Sequence, residues 1–197
     1  MEIAYSHAAI VLIEFQKQWT ERGSLFNSLI SNELHSRNVI SKTRVLVATA
    51  RAAGVTIIHA PLIVDPKNRK GWLANLTMGR TFTQGTSRAE FTPDLVENGD
   101  LIVSERTGLD PFYGSDLETL LRQHHLTQLF FAGFLTDQCA GKGVQTALKK
   151  GFDAYLIGDC SATYSAIVQN RTERHIGIRT LQSTDIIKLL SQPSPVA

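Results

Sequence analysis

The chain predicts an α/β fold with three layers, α/β/α, around a mostly parallel six-stranded sheet of Rossmann-like plan. Three observations predict it. Near-continuous apolar runs recur at residues 8–15 (AAIVLIEF), 129–132 and 154–158, as expected of strands buried on both faces. Segments with helical spacing separate these runs, so strand and helix alternate along the whole length. The strand ends carry reactive side chains: Glu14, the Glu105-Arg106 pair and the approach to Cys139. Right-handed crossovers bring all of these to one edge of the sheet.

The first strand, Ala8 to Phe15, ends in an acid, Glu14. A carboxylate there has lost most of its water and must be paired, hydrogen-bonded or used. Gln16, Trp19 and a polar loop with Gly23 follow. From Ser31 to Ala53 the spacing of Val39, Thr43, Leu46, Ala50 and Ala53 predicts one helix, stopped by Gly54. Val55 to His59 is the second strand. Pro61 to Thr92 is polar and glycine-bearing, with Trp72, Phe82 and Phe91 spaced without a period. A segment of this kind reads as a lid, binding loop or subunit contact, with a short helix expected near Gly71 to Met78. Leu101 to Ser104 gives the third strand. Asp116 to Gln123 is a helix with Leu117, Leu120 and Leu121 inward and Ser115 as its cap.

Leu129 to Ser161 organises the rest. An apolar strand turns at Gly133 and leads through Cys139 into a helix whose Val144, Ala147 and Leu148 share a face. A thiol at a helix start is biased towards the thiolate, with backbone amides nearby for a developing oxyanion. The strand Ala154 to Gly158 then ends in Asp159-Cys160-Ser161. A helix over Ile167 to Leu181 and a last strand over Asp185 to Leu190 are expected, with residues 191–197 as a frayed tail.

The 197 residues, 43% hydrophobic and 19% charged, suit one domain, 1–197, with one well-buried core. Net charge is +2 and the basic residues are scattered, which gives no electrostatic case for nucleic acid or membrane as partner. No apolar run nears the ~20 residues of a membrane span, and Met1-Glu2 opens directly onto an apolar strand, so a cytoplasmic protein is expected. Two cysteines at successive strand ends are expected to be reduced.

From residue 8 to residue 190 the chain resembles the isochorismatase-like cysteine hydrolases, which include nicotinamidases, carbamoylsarcosine amidase-like enzymes and ureidoacrylate amidohydrolases. The most specific stretches are AGFLTDQCAGKGVQTALKKGFDAYLIGDCSAT, similar to the family's Gly-x-x-Thr-x-x-Cys segment, and FYGSDLETLLR; the opening VLIEFQ resembles its strand ending in Asp-x-Gln. The family uses an Asp–Lys–Cys triad. By resemblance Cys139 is the nucleophile and Glu14 stands at the aspartate, one methylene longer. The lysine's place holds Glu105 or Arg106, depending on the flank from which it is counted. The resemblance also implies an oxyanion hole from the amides of Leu135 and Cys139, with a cis peptide before Leu135.

Glu14 can accept the thiol proton. Arg106 can support a charged sulfur but keeps its own proton, whereas Glu105 in that place would disfavour attack. Gln16, Trp19, Phe112, Thr136 and Tyr164 are candidate substrate contacts. The family's metal-binding members use several histidines after the second strand; here HAPLIVDPKNRKGW holds only His59, so no metal or other cofactor is expected. The expected function is metal-independent, thiol-dependent hydrolysis of a small amide or related C–N or ether substrate, in a homo-oligomer. The alternative is an idle member that binds a metabolite or protein in the same crevice.

Overall fold

The computed structural model describes residues 3–68, 75, 78, 80–175 and 178–191. Six strands form one sheet: β1 (Ala8–Ile13), β2 (Thr56–Ala60), β3 (Leu101–Ile102), β4 (Gln128–Phe134), β5 (Asp153–Ala162) and β6 (Thr180–Leu181). Their order is β3-β2-β1-β4-β5-β6 and every pairing is parallel. β1 and β4 lie in the middle, and every residue of both is buried. That is why their sequences are apolar without alternation.

Helices cover the two faces: α1 (Lys17–Thr20), α2 (Leu25–Ser36), α3 (Val39–Ala52), α4 (Leu117–Gln123), α5 (Gly141–Lys149), α6 (Ala166–Glu173) and α7 (Ser183–Leu190). β1 shows how one strand serves both layers. Ala8, Ile10 and Leu12 pack with Leu46, Ala50 and Ile186 of α3 and α7, whereas Ala9, Val11 and Ile13 pack with Leu117, Leu121 and Val144 of α4 and α5. Each fully buried leucine, isoleucine or valine among these contributes about 1.5–3 kcal/mol.

Several sequence expectations change. The helix over 31–53 is two helices, because Asn38 adopts a left-handed φ of 53° between α2 and α3, a conformation asparagine tolerates better than most residues. Ser24, whose hydroxyl accepts from Asn27 N at 3.0 Å, starts α2 earlier than predicted. The helix expected over Ile167 to Leu181 ends at Glu173, and the last strand is Thr180–Leu181 rather than 185–190. Residues 185–190 belong to α7, where Gln182 and Asp185 form a capping box and Ser183, Ile186 and Leu190 face inward. A short apolar run does not distinguish strand from helix; the cap decides it here. β5 is also longer than expected and reaches Ala162, with a register irregularity against β4 between Phe131 and Gly133. Of the helix expected near Gly71 to Met78 only residues 75 and 78 are described, and residues 192–197 of the expected tail lie outside the described residues.

Candidate active site

The carboxyl ends of β1, β2 and β4 converge on a buried ion pair. Glu14 follows β1 with a left-handed φ of 56°, and Glu105 after β3 has φ 59°. Such angles are uncommon outside glycine and cluster at functional sites. The turn at residue 105 leaves Glu105 exposed and sends Arg106 inward, where it is 3% exposed. Arg106 Nη2 donates to Glu14 Oε1 at 2.6 Å, and Nη1 donates to the Ala60 carbonyl at 2.9 Å. The second carboxylate oxygen, Glu14 Oε2, accepts from Trp19 Nε1 at 2.8 Å. Of the two residues competing for the lysine's place, Arg106 holds the acid and Glu105 faces solvent.

Cys139 lies on a π turn, Thr136–Ala140, that joins β4 to α5, and is 3% exposed. Burial pushes its thiol well above the usual cysteine range. The Glu14 carboxylate raises it further, and the Arg106 guanidinium pulls the other way without cancelling the two. The expected bias to thiolate is therefore reversed: loss of water outweighs the position before a helix. Burial also works against the Arg106 charge, but Glu14 and the Cys139 sulfur more than offset it, and the guanidinium is held above its ordinary range. The resting arrangement is a neutral thiol beside an ion pair.

The peptide bond between Phe134 and Leu135 is cis. Leu135 O accepts from Gln138 N at 3.1 Å and Ala140 N at 3.2 Å, which ties the π turn back on itself. Gly133 precedes this turn at φ 131°, and a Cβ there would meet Ile13 O at 2.0 Å. Only glycine lets β4 pass this close to β1.

The candidate substrate contacts divide. Gln16 is fully buried: its Nε2 donates to the Leu62 and Ala89 carbonyls, and its Oε1 accepts from Leu62 N. It stitches β1 to the segment after β2 and has no amide N–H left to donate to a ligand. Trp19 is 4% exposed and bound to Glu14, so it is no pocket wall. Thr136 is 0% exposed and donates to Gln169 Oε1 at 2.7 Å. Phe112 packs on Phe131 and Phe152 in the core layer beneath α4 and α5. Tyr164 is exposed, beside Asp137 and Val168 on a surface hollow of about 330 Å³.

The crevice expected at the strand ends is an open cleft next to the pair, whose lining by Val64, Asn68, Thr107 and Ser115 the sequence did not single out. The cleft measures about 600 Å³ and is lined by Val64, Asn68, Glu105, Arg106, Thr107 and Ser115, among others. These residues follow β2 and β3, and their placement at strand carboxyl ends was the available signal. His59 is buried on β2 with Nε2 2.9 Å from Asp100 Oδ2, and among the described residues no group of three His, Cys, Asp or Glu side chains is placed to hold a metal. Both cysteines are free, and no helix among the described residues is long and apolar enough to cross a membrane.

The fold has close counterparts among solved structures. A cysteine hydrolase from Pseudomonas syringae pv. phaseolicola superposes with a TM-score of 0.84 over 96% of this chain and 95% of its own, at 19% identity. N-carbamoylsarcosine amidase from Thermoplasma acidophilum gives 0.73 over 93% and 97%, at 17% identity. At such identities the likeness concerns the fold. In sequence, ureidoacrylate amidohydrolase RutB of an Enterobacter is 25% identical over 166 residues, which is 76% of this chain and 70% of that protein. Streptothricin hydrolase of Streptomyces noursei is 30% identical over 64% of this chain but only 41% of its own length. The isochorismatase family protein YrdC of Bacillus subtilis is 30% identical over 83% of this chain and 78% of its own. The sequence profile of the isochorismatase domain matches residues 8–182, from the start of β1 to the residue after β6, and the chain therefore belongs to the isochorismatase family.

Proposed function

We propose that this protein is a thiol-dependent hydrolase of small amides that works without a metal, with Cys139 as nucleophile, Glu14 as the group that moves protons and Arg106 as the fixed cation. The observation that carries the reading is the buried Glu14–Arg106 pair whose two charges both act on the Cys139 sulfur. A buried ion pair is weak support for stability; set against a thiol, it is a poised base.

The steps follow from the charges. Glu14 uses one lone pair on Arg106 and one on Trp19, and an ionised carboxylate has further lone-pair sites. As the sulfur attacks the substrate carbonyl, its proton passes to Glu14, the C–S bond forms and the carbonyl electron pair moves onto oxygen. The amides of Leu135 and Cys139 receive that oxyanion. Collapse expels the amine, which takes the proton from Glu14 and leaves a thioester. Water then attacks the thioester and gives its proton to Glu14; the sulfur leaves, recovers that proton, and the acid product departs. Arg106 stays charged throughout, because a guanidinium does not deprotonate in proteins. It stays paired with the Glu14 carboxylate and tempers the negative charge on sulfur. Where a lysine could share a proton, this arrangement puts all proton movement on Glu14.

Substrate enters from the cleft that Arg106 lines. Two relatives are named for amide-type hydrolysis, the ureidoacrylate amidohydrolase and, among solved structures, the carbamoylsarcosine amidase, which favours ureido or carbamoyl amides as first substrates. The same reading carries a homo-oligomer acting in the cytoplasm. The test is turnover of ureidoacrylate, N-carbamoyl amino acids and simple carboxamides, followed as released ammonia. Activity is expected with the native chain and absent with Cys139→Ser, and an acyl adduct on the Cys139 peptide is expected by mass spectrometry. Turnover that survives in Cys139→Ser overturns the mechanism. Inertness towards every amide, together with an unreactive Cys139, would assign the crevice to binding.

A further inference from the structure

Trp19 takes no part in the steps just described, yet it is the second anchor of the acid. Its Nε1–H donates to Glu14 Oε2 at 2.8 Å, while Arg106 holds the other oxygen. A carboxylate held at one oxygen can still turn about that contact, and glutamate has one more side-chain torsion than aspartate to turn with. A second donor on the second oxygen fixes the plane.

The indole is built to stay still. Its ring centroid lies 4.8 Å from that of Phe26, 6.2 Å from that of Phe82 and 5.9 Å from that of Phe134, and close-packed aromatic neighbours hold a rotamer. Asn27 Nδ2 donates to the Trp19 carbonyl at 2.8 Å, which ties α1 to the first turn of α2. Phe134 is the residue before Leu135, so one ring contacts both the acid and the strand end that carries the oxyanion amide.

We infer that Trp19 is a positioning residue: its indole N–H fixes the Glu14 carboxylate so that a free lone pair faces Cys139, and the two side chains act as one unit. This rests on the assignment of Glu14 and Cys139 made above. It accounts for how an acid one methylene longer than the family's aspartate reaches a working position, since both the left-handed backbone at residue 14 and the indole bond set where the carboxylate ends.

The test reads the rate of iodoacetamide alkylation of Cys139 by peptide mass spectrometry, with protection of Cys160 as the sign of an intact fold. Trp19→Phe removes the N–H and keeps an aromatic ring; the expected result is a slowing of about tenfold, the scale of one hydrogen bond to a charged group. Trp19→His places a ring N–H at the corresponding atom with a smaller ring, and is expected to recover most of the native rate. The order His faster than Phe is one that packing alone would reverse. In a Glu14→Asp background, where the carboxylate is drawn back from the indole, Trp19→Phe is expected to add little further slowing. A native rate in Trp19→Phe, a His variant no faster than the Phe variant, or full additivity with Glu14→Asp each overturns the inference. Undiminished amide turnover in Glu14→Gln instead removes Glu14 as the base, and so overturns the functional reading on which the inference rests.

Discussion

Arg106 Nη2 lies 2.6 Å from Glu14 Oε1, and each side chain is 1% exposed. Neither charge has water to fall back on, so each depends on the other. Arg106→Met strands the carboxylate and is expected to cost about 3–5 kcal/mol in urea unfolding. Arg106→Lys keeps the charge but not the fork that reaches both Glu14 and the Ala60 carbonyl, and should cost about 1–2 kcal/mol. Arg106→Met combined with Glu14→Gln should be milder than Arg106→Met alone. An equal or larger loss in the double variant would contradict the pairing.

The two cysteines offer a contrast within one molecule. Cys160 is 0% exposed, and burial together with the Asp159 charge pushes its thiol up to about 12. Cys139 is also raised, but it has Glu14 to take its proton. At neutral pH iodoacetamide should label Cys139 well before Cys160. Equal labelling in the native chain would count against a poised thiol.

Gly133→Ala is expected to be severe. The Cβ would sit 2.0 Å from Ile13 O at a φ of 131°, and the two central strands would have to part. A loss of about 3 kcal/mol or more is expected from overpacking plus the backbone penalty, measured as the urea midpoint. Gly151→Ala, at φ 86° with nothing within 4 Å of the added atom, should cost only the backbone part, about 1–2 kcal/mol.

Stability should fall with acid through His59. Burial lowers its pKa below 6.5, against the opposing pull of Asp100. The unfolded chain therefore takes up the proton first, and stability is lost as pH falls from 6.5 towards the lowered value. Asp100 is also held below its ordinary range: burial opposes its charge, but hydrogen bonds from Arg51, Glu97 N and His59 outweigh it, so its share is lost only below 3.8. Urea unfolding at about pH 7.5 and about pH 5.5 should show a drop in the native chain that is smaller in His59→Gln. A flat native profile would refute this.

Much of the sheet was readable because burial on both faces leaves a plain mark. β1, the start of β4 and the first half of β5 stand out as apolar runs, and the parallel pairing follows from the intervening helices. The positions of Glu14 and Cys139 were readable because each follows the end of a strand. The site was not readable where partners meet across the fold. Gln16 looked like a pocket residue, yet it is consumed by Leu62 and Ala89, contacts between segments that no local pattern links; Trp19 is bound to Glu14 only because the chain turns back between β1 and α1. The final strand was misplaced for a similar reason: Asp185 to Leu190 is apolar enough for either element, and the Gln182 and Asp185 cap settles it.

By itself the sequence determined the alternating architecture, the apolar centre of the sheet, and a thiol and an acid at two strand ends, because hydrophobic period and chain order are local properties. Only the tertiary structure decided which of the adjacent Glu105 and Arg106 faces the thiol, and with it whether that sulfur meets a second acid or a cation. The choice lies in one left-handed turn at residue 105. That turn rotates neighbouring side chains to opposite sides, and burial beside Glu14 is tolerable only for the member of the pair that can neutralise it.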